Sequence, residues 1–279
     1  MKTLVAVDLD QTLIYSRQSI RRAGGTTEGL VCVEALNNAE KSFMTSGALV
    51  GLRRLDRTAT FVAATTRTRE QYQRINLGGI RPPFAVVANG AELLVDGVPD
   101  GDWAAHILAM LELDAVDAHA VASHLQIVLD PAWTKRVTVA HDVFAVAVIE
   151  RCHLPAAVIE QLTLWAADLG LTVSVQGRKL YVIPTWLSKK AAIEEVRRRT
   201  GATRLLSAGD SLLDTSLLMM ADAAIRPAHG ELHEEGWTFG AMSITKTSGV
   251  LAGAEIIDWC LKNGSRQVAG PGDQAHLCP

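Results

Sequence analysis

Asp8 and Asp10 stand two residues apart directly after the apolar run Leu4-Val5-Ala6-Val7, and Thr12 follows them. An apolar, partly β-branched run of this length that ends in polar residues reads as a buried parallel strand entering a loop. Ligands of open α/β sheets bind beyond the carboxyl ends of the strands, so the two carboxylates arrive where such folds do chemistry. Negative charge gathered at one point is unfavourable unless a cation or a shared proton offsets it. Three further clusters follow apolar runs: Thr65-Thr66-Arg67, Ser188-Lys189-Lys190, and Gly209-Asp210 with Asp214. Asp210 and Asp214 are four apart and share a face if the chain turns helical there.

This inventory suits phosphoryl transfer. A nucleophile must attack phosphorus in line while fixed positive charge balances the equatorial oxygens. A hard cation with oxygen ligands can hold several carboxylates beside a phosphate. The Thr65 hydroxyl can bond a phosphoryl oxygen, and Lys189 supplies a point charge that also keeps a neighbouring Asp ionised. Each residue has a plainer role open to it. Asp after a strand is a common turn or cap residue, Asp210 and Asp214 included. Lys190 competes with Lys189, and Thr66 with Thr65. His229 and His233 have i, i+4 spacing without a third ligand, which reads as a solvated pair and not a metal site.

The elements that must position these groups alternate between strand and helix. Apolar runs at 4–7, 60–64, 84–88, 205–208, 223–225 and 242–245 read as strands, with helices over 68–76, from 213 onward and over 249–261. The fold class that follows is α/β, with a doubly wound, mostly parallel sheet. The middle of the chain differs. Ala104, Ile107, Leu108 and Leu111 mark a helix, 143–149 a strand, and Val158, Leu162, Trp165 and Leu169 a helix opened by Pro155. A hairpin follows over 171–175 and 180–183. This predicts a core at 1–89 and 185–263, an inserted α+β cap at 90–184, and a disordered Gly- and Pro-containing tail at 264–279. The segment 16–41 is long for a connection and reads as a flap over the site or an irregular excursion.

Asp8-Leu9-Asp10-Gln11-Thr12, Thr65-Thr66-Arg67, Ser188-Lys189 and Gly209-Asp210-Ser211-Leu212-Leu213-Asp214 resemble, in order, the four motifs of the haloacid dehalogenase superfamily of phosphatases. The insert between the second and third motifs is similar to the large cap of the branch holding sucrose-phosphate phosphatase, trehalose-phosphate phosphatase and phosphomannomutase. The resemblance covers roughly residues 3 to 261. It implies a Mg²⁺-dependent phosphatase acting on a small phosphorylated substrate, with Asp8 as nucleophile and Asp10 as general acid and then base. It implies phosphate binding by Thr65 and Lys189, and metal binding by Asp8, Asp210, Asp214 and the main-chain carbonyl of Asp10. Thr66, Arg67, Asn89, Arg178 and Lys179 are candidates for substrate binding, with Lys135, Arg136 and His141 further cap candidates. Two positions depart from the family pattern: Gln11 replaces the usual Gly, and Leu213 the frequent Asn.

Composition bounds the alternatives. The 279 residues are 48% hydrophobic and 20% charged, enough for a sizeable core, and the net charge of -3 lacks the basic footprint of a nucleic-acid binder. Cys32, Cys152, Cys260 and Cys278 are scattered, which reads as reduced cysteines in a cytoplasmic protein. No apolar span reaches membrane-crossing length. A phosphomutase of the same fold stays open. A receiver-like phospho-acceptor fits less well, since its acceptor Asp follows a later strand and needs no partner like Asp10.

Overall fold

The structure is a computed structural model that describes residues 2–240 and 242–264. In chain order, β1 (Thr3–Val7) leads to β2 (Tyr15–Ser16), α1 (Arg17–Arg22), β3 (Leu30–Leu36) and β4 (Ala39–Thr45). Then come α2 (Ser46–Asp56), β5 (Thr60–Ala64), α3 (Arg69–Tyr72), β6 (Phe84–Val87), β7 (Glu92–Val95) and β8 (Val98–Pro99). The middle holds α4 (Gly101–Leu113), α5 (Ala118–Val128), β9 (Thr134–Ala140), β10 (Phe144–Ile149), α6 (Ala156–Asp168), β11 (Leu171–Gln176) and β12 (Lys179–Pro184). The chain continues through α7 (Lys189–Thr200), β13 (Arg204–Ala208), α8 (Thr215–Met220), β14 (Ala223–Arg226), α9 (Glu231–Glu234), β15 (Met242–Ile244) and α10 (Val250–Gly264).

The central sheet runs β15-β14-β13-β1-β5-β6-β7-β8, parallel from β15 to β6 and antiparallel for the last two. Side chains alternate across it as strand geometry requires. Leu4 and Ala6 of β1 pack with Ile193, Val196 and Leu217 on one face. Val5 and Val7 pack with Leu52, Leu55, Ile256 and Ile257 on the other. Burial on both faces explains why the strands read as continuous apolar runs instead of alternating ones.

Register sets the site. Val7 of β1 pairs with Ala63 of β5 and with Ala208 of β13, so three strands end level. Residues 8, 65 and 209–210 therefore emerge together along one edge of the sheet.

A second sheet, β11-β12-β10-β9, is antiparallel. One face buries Ala145, Ala147, Leu180 and Val182 against Leu125, Leu162 and Ala166 of α5 and α6. The opposite face carries Phe144, Val146, Tyr181 and Ile183, which pack toward the central sheet. The segment 16–41 contributes to a third, three-stranded sheet, β2-β4-β3, so it is ordered and not an irregular excursion.

Two expectations change. The helix expected over 68–76 is only the four residues of α3, because the Asn76 amide donates to the Val33 carbonyl and Ile75 bridges to Glu34. Pairing with β3 overrides local helical pattern there. The central sheet also does not stop at residue 89: β7 and β8 extend it, and α4 packs on it through Trp103 and Ile107. The tail expected at 264–279 lies outside the described residues apart from Gly264, the last residue of α10. Cys32, Cys152 and Cys260 are free thiols. No helix among the described residues is long and apolar enough to cross a membrane.

Candidate active site

Asp8 leaves β1 with its amide donating to the Ala208 carbonyl at 2.9 Å, which continues the β1–β13 ladder one residue past the strand. Lys189, the first residue of α7, is wholly buried and donates from Nζ to Asp8 Oδ1 and Asp214 Oδ1, each at 2.6 Å. The residue before it, Ser188, can lie there only because Gly90 has no side chain. A Cβ at Gly90 would sit 2.5 Å from the Ser188 carbonyl oxygen, and its φ of 103° is one that L side chains rarely adopt. Asn89 is buried and donates to the Leu187 carbonyl at 3.3 Å. The Asn-Gly pair thus seats the loop that delivers Lys189, and Asn89 is not placed among the cavity-lining residues.

Asp214 accepts from the amides of Asp210 and Ser211 and from the Ser211 hydroxyl through Oδ2, while Lys189 takes Oδ1. Both of its oxygens are engaged, so it fixes the loop as well as adding charge. Asp8, Asp210 and Asp214 each bring a carboxylate oxygen within 4.8 Å of the others, and all three are buried. Gly230, at φ 87°, leaves room for the Asp210 carboxylate, since a Cβ there would lie 2.6 Å from Oδ2.

Burial pushes the Asp8 carboxyl up to about 7, against the pull of Lys189 and with a further push from Asp214. Burial and the charges of Asp8 and Asp214 push Asp210 well above the usual carboxylate range. Such a group of hard oxygens, strained by its own charge, fits a divalent cation with oxygen ligands.

The Asp10 carboxylate lies apart from that trio. Arg67 grips it with a two-pronged contact, Nε to Oδ2 at 2.6 Å and Nη2 to Oδ1 at 2.8 Å. Burial raises the Asp10 pKa, but the guanidinium outweighs it and the net shift is downward. Arg67 is itself braced by Glu34 at 2.9 Å and touches the Ser42 hydroxyl at 3.4 Å, both from the β3–β4 hairpin. That hairpin therefore supports the site from behind. Thr65 is buried, and its Oγ1 accepts from the Arg67 amide at 3.1 Å. Thr66 Oγ1 meets the Tyr181 hydroxyl at 3.1 Å, a direct contact between the strand-end loop and the second sheet.

Gln11 takes the left-handed conformation, φ 62°, where glycine would cost nothing. His229 compensates: its Nε2 donates to the Gln11 carbonyl at 2.8 Å while its Nδ1 accepts from the Gly249 amide at 3.1 Å. It is thus a loop clamp and not the solvated residue that its spacing suggests. Burial lowers its pKa and favours this neutral form. Leu213 is buried in the core on the α7 and α8 side of the sheet.

The second sheet faces this edge across a cavity of about 700 Å³, lined by Asp10, Asp210, Thr66 and Arg67 on one side and by Arg136, Arg178, Lys179 and Tyr181 on the other. Lys135, one residue from Arg136 and so on the opposite face of β9, pairs with Glu150 instead. His141 lines an adjoining hollow of about 330 Å³. Sequence reasoning missed Glu231. Its carboxylate accepts from the Leu212 amide at 2.9 Å, the Val175 amide at 2.9 Å and the Ser174 hydroxyl at 2.8 Å. One carboxylate of α9 therefore fastens the edge strand β11 to the loop that carries Asp210.

No protein-family model matches the chain, and no curated protein sequence matches it. Solved structures do. The sucrose-phosphatase from Synechocystis sp. PCC6803, in complex with sucrose and phosphate, aligns with TM-score 0.64 at 17% identity over 94% of this chain and 98% of that one. The HAD subclass IIB sugar phosphatase BT4131 aligns with TM-score 0.58 at 14% identity, over 95% and 99%. A trehalose-6-phosphate phosphatase related protein aligns with TM-score 0.53 at 16% identity, over 94% and 98%. The alignments run over nearly the whole of each chain: this chain shares the fold of these phosphatases of the haloacid dehalogenase superfamily.

Proposed function

We propose that the chain is a Mg²⁺-dependent phosphatase that hydrolyses a small phosphorylated metabolite, a sugar phosphate, through an aspartyl-phosphate on Asp8. The observation that carries this reading is the buried trio Asp8, Asp210 and Asp214, tied to Lys189 at the level ends of β1 and β13. The sugar phosphatases that share the fold lend the substrate class.

Lys189 engages Oδ1 of Asp8 and leaves Oδ2 to attack phosphorus. The bond from phosphorus to the leaving alcohol breaks as Asp10 gives that oxygen a proton. Arg67 holds Asp10 ionised in the free protein, so the acid step requires Asp10 to take up a proton and loosen from Arg67. The second step uses the ionised form that Arg67 favours: Asp10 removes a proton from water, which attacks phosphorus and returns Asp8 and inorganic phosphate. The Thr65 hydroxyl and Lys189 bind the oxygens of the transferring group. A cation held by Asp8, Asp210 and the Asp10 carbonyl, with Asp214 behind them, would supply the remaining positive charge.

The test is release of phosphate from a panel of sugar phosphates and aryl phosphate with Mg²⁺, with EDTA, and without any bisphosphate activator. Steady release that EDTA abolishes is expected. Release that survives exhaustive chelation overturns the metal's role, and conversion of one sugar phosphate to another only with a bisphosphate present makes the protein a mutase.

A further inference from the structure

The cavity holds more positive charge than that mechanism uses. Arg67 is matched by Asp10 and Glu34, Lys189 by Asp8 and Asp214, and Arg151 lies 3.5 Å from Glu234. Arg136, Arg178 and Lys179 line the cavity and form no salt bridge among the described residues; Asp10 attracts Lys179 only from beyond ion-pair distance. They come from the second sheet, across the cavity from the residues proposed to hold the transferring phosphoryl group.

Strand register explains how they converge. Arg136 on β9 and Lys179 on β12 both stand opposite Val148 on β10, so the three side chains form one row across one face. The next row along that face is Thr138, Val146 and Tyr181, and Tyr181 reaches Thr66. The face bearing Arg136 and Lys179 is therefore the one turned to the strand ends. Two strand spacings put their backbones about 10 Å apart. Arg178 precedes Lys179 at the end of the Gly177 turn. Arg136 and Arg178 are exposed, and Lys179 lies beside the Tyr181 ring, its Nζ 5.9 Å from the centroid. Like charges gathered over an open cavity repel, and an anion of the ligand relieves them. Guanidinium forks match carboxylate and phosphate oxygens in pairs.

We propose that the substrate carries a second anionic group, a carboxylate or a further phosphate, on the alcohol that leaves, and that Arg136, Arg178 and Lys179 hold it. The inference rests on the phosphatase reading above and narrows its substrate class. A cavity of about 700 Å³ accommodates a sugar with a charged group at each end. General electrostatic attraction by these cations would favour every phosphate alike; a subsite discriminates between them.

Matched probes separate the two. Wild-type kcat/KM is measured for glucose 6-phosphate against 6-phosphogluconate, for fructose 6-phosphate against fructose 1,6-bisphosphate, and for p-nitrophenyl phosphate. The doubly anionic member of at least one pair is expected to be favoured by about tenfold or more, carried mainly by KM; which pair it is tells carboxylate from phosphate. Replacing Arg136→Gln together with Arg178→Gln should lower that preference by about tenfold, and Arg136→Lys with Arg178→Lys should retain only part of it, the charge without the fork. Hydrolysis of p-nitrophenyl phosphate with a preference near one in both pairs overturns this inference and leaves the phosphatase reading intact. A preference that survives the paired Gln substitutions also overturns it. No hydrolysis of any probe overturns the phosphatase reading itself.

Discussion

Replacing Lys189 with Met tests the electrostatics of the site without reference to any substrate. Lys189 is fully buried and makes two 2.6 Å contacts, to Asp8 and to Asp214. Removing one partner of a buried ion pair costs about 3–5 kcal/mol, because the charges left behind remain desolvated. Here three carboxylates stay behind with oxygens inside 4.8 Å. Two unit charges about 4 Å apart repel by about 4 kcal/mol at an effective dielectric near 20, so the cost is not small even with relaxation. Protonation caps it. Burial already pushes Asp8 up to about 7 and Asp210 well above its usual range, and losing Lys189 pushes Asp8 further up.

The sign of the pH dependence follows. A carboxyl whose folded pKa lies above its unfolded one lends stability at low pH and loses it as pH rises through the folded value. The deficit of Lys189→Met should therefore be greatest above about pH 7 and shrink toward pH 5. Urea unfolding without metal, at about pH 8 and pH 5, should show a loss of about 3–5 kcal/mol at the higher pH and less at the lower, with unchanged m-value. Against a typical total of about 5–15 kcal/mol, the variant will be fragile. Adding Asp8→Asn removes one of the opposing charges and should restore part of the loss. A deficit below about 1 kcal/mol at pH 8, or one that grows on acidification, would refute the reasoning.

The other expectations concern the chemistry, the cation and the contact between the sheets. Asp10→Asn should still be phosphorylated by an aryl phosphate, whose leaving group needs little protonation, but should turn over slowly for want of a base. Mass spectrometry after acid quench should find the adduct on Asp8, and an adduct elsewhere sinks the assignment. Because burial makes Asp8 and Asp210 hold protons more tightly than free carboxylates, a cation bound there would have to displace them, so stabilisation of the protein by added Mg²⁺ should grow between about pH 5.5 and pH 8. A thermal shift that is largest at the acid end contradicts this. Glu231→Ala removes the acceptor for the Val175 and Leu212 amides and the Ser174 hydroxyl. Unpaired groups of this kind cost about 1–3 kcal/mol each when buried, so hydrogen exchange should speed up in β11 well before β1 and β13. Equal acceleration in both regions would mean that Glu231 is not a latch.

What could be read from the chain divides along sequence distance. Strands β1, β5 and β13 are legible because burial on both faces leaves an unbroken apolar run, and each run carries its polar cluster directly behind it. Asp8, Thr65 and Asp210 need only that local signal plus level strand ends. Lys189 has no such signal by itself. It is one of two lysines at a helix start, and what distinguishes it from Lys190 is burial against Asp8, 181 positions away. The roles of Arg67 and Glu231 are still less local. Arg67 looks like a group waiting for substrate, yet it spends its guanidinium on Asp10 and Glu34, the latter from a hairpin whose register has two irregularities that blur its alternation. Glu231 is an ordinary acidic residue in the first turn of a four-residue helix, and its meaning comes from an unpaired edge amide 56 positions earlier. Unpaired main-chain groups at a sheet edge leave no trace in side-chain identity, so such partners appear only when the two sheets are placed together. The same holds for the row Arg136–Val148–Lys179. Each residue alone is a surface charge or a strand residue, and only the register of β9, β10 and β12 puts one arginine and one lysine on one face across the cavity from Asp10 and Asp210.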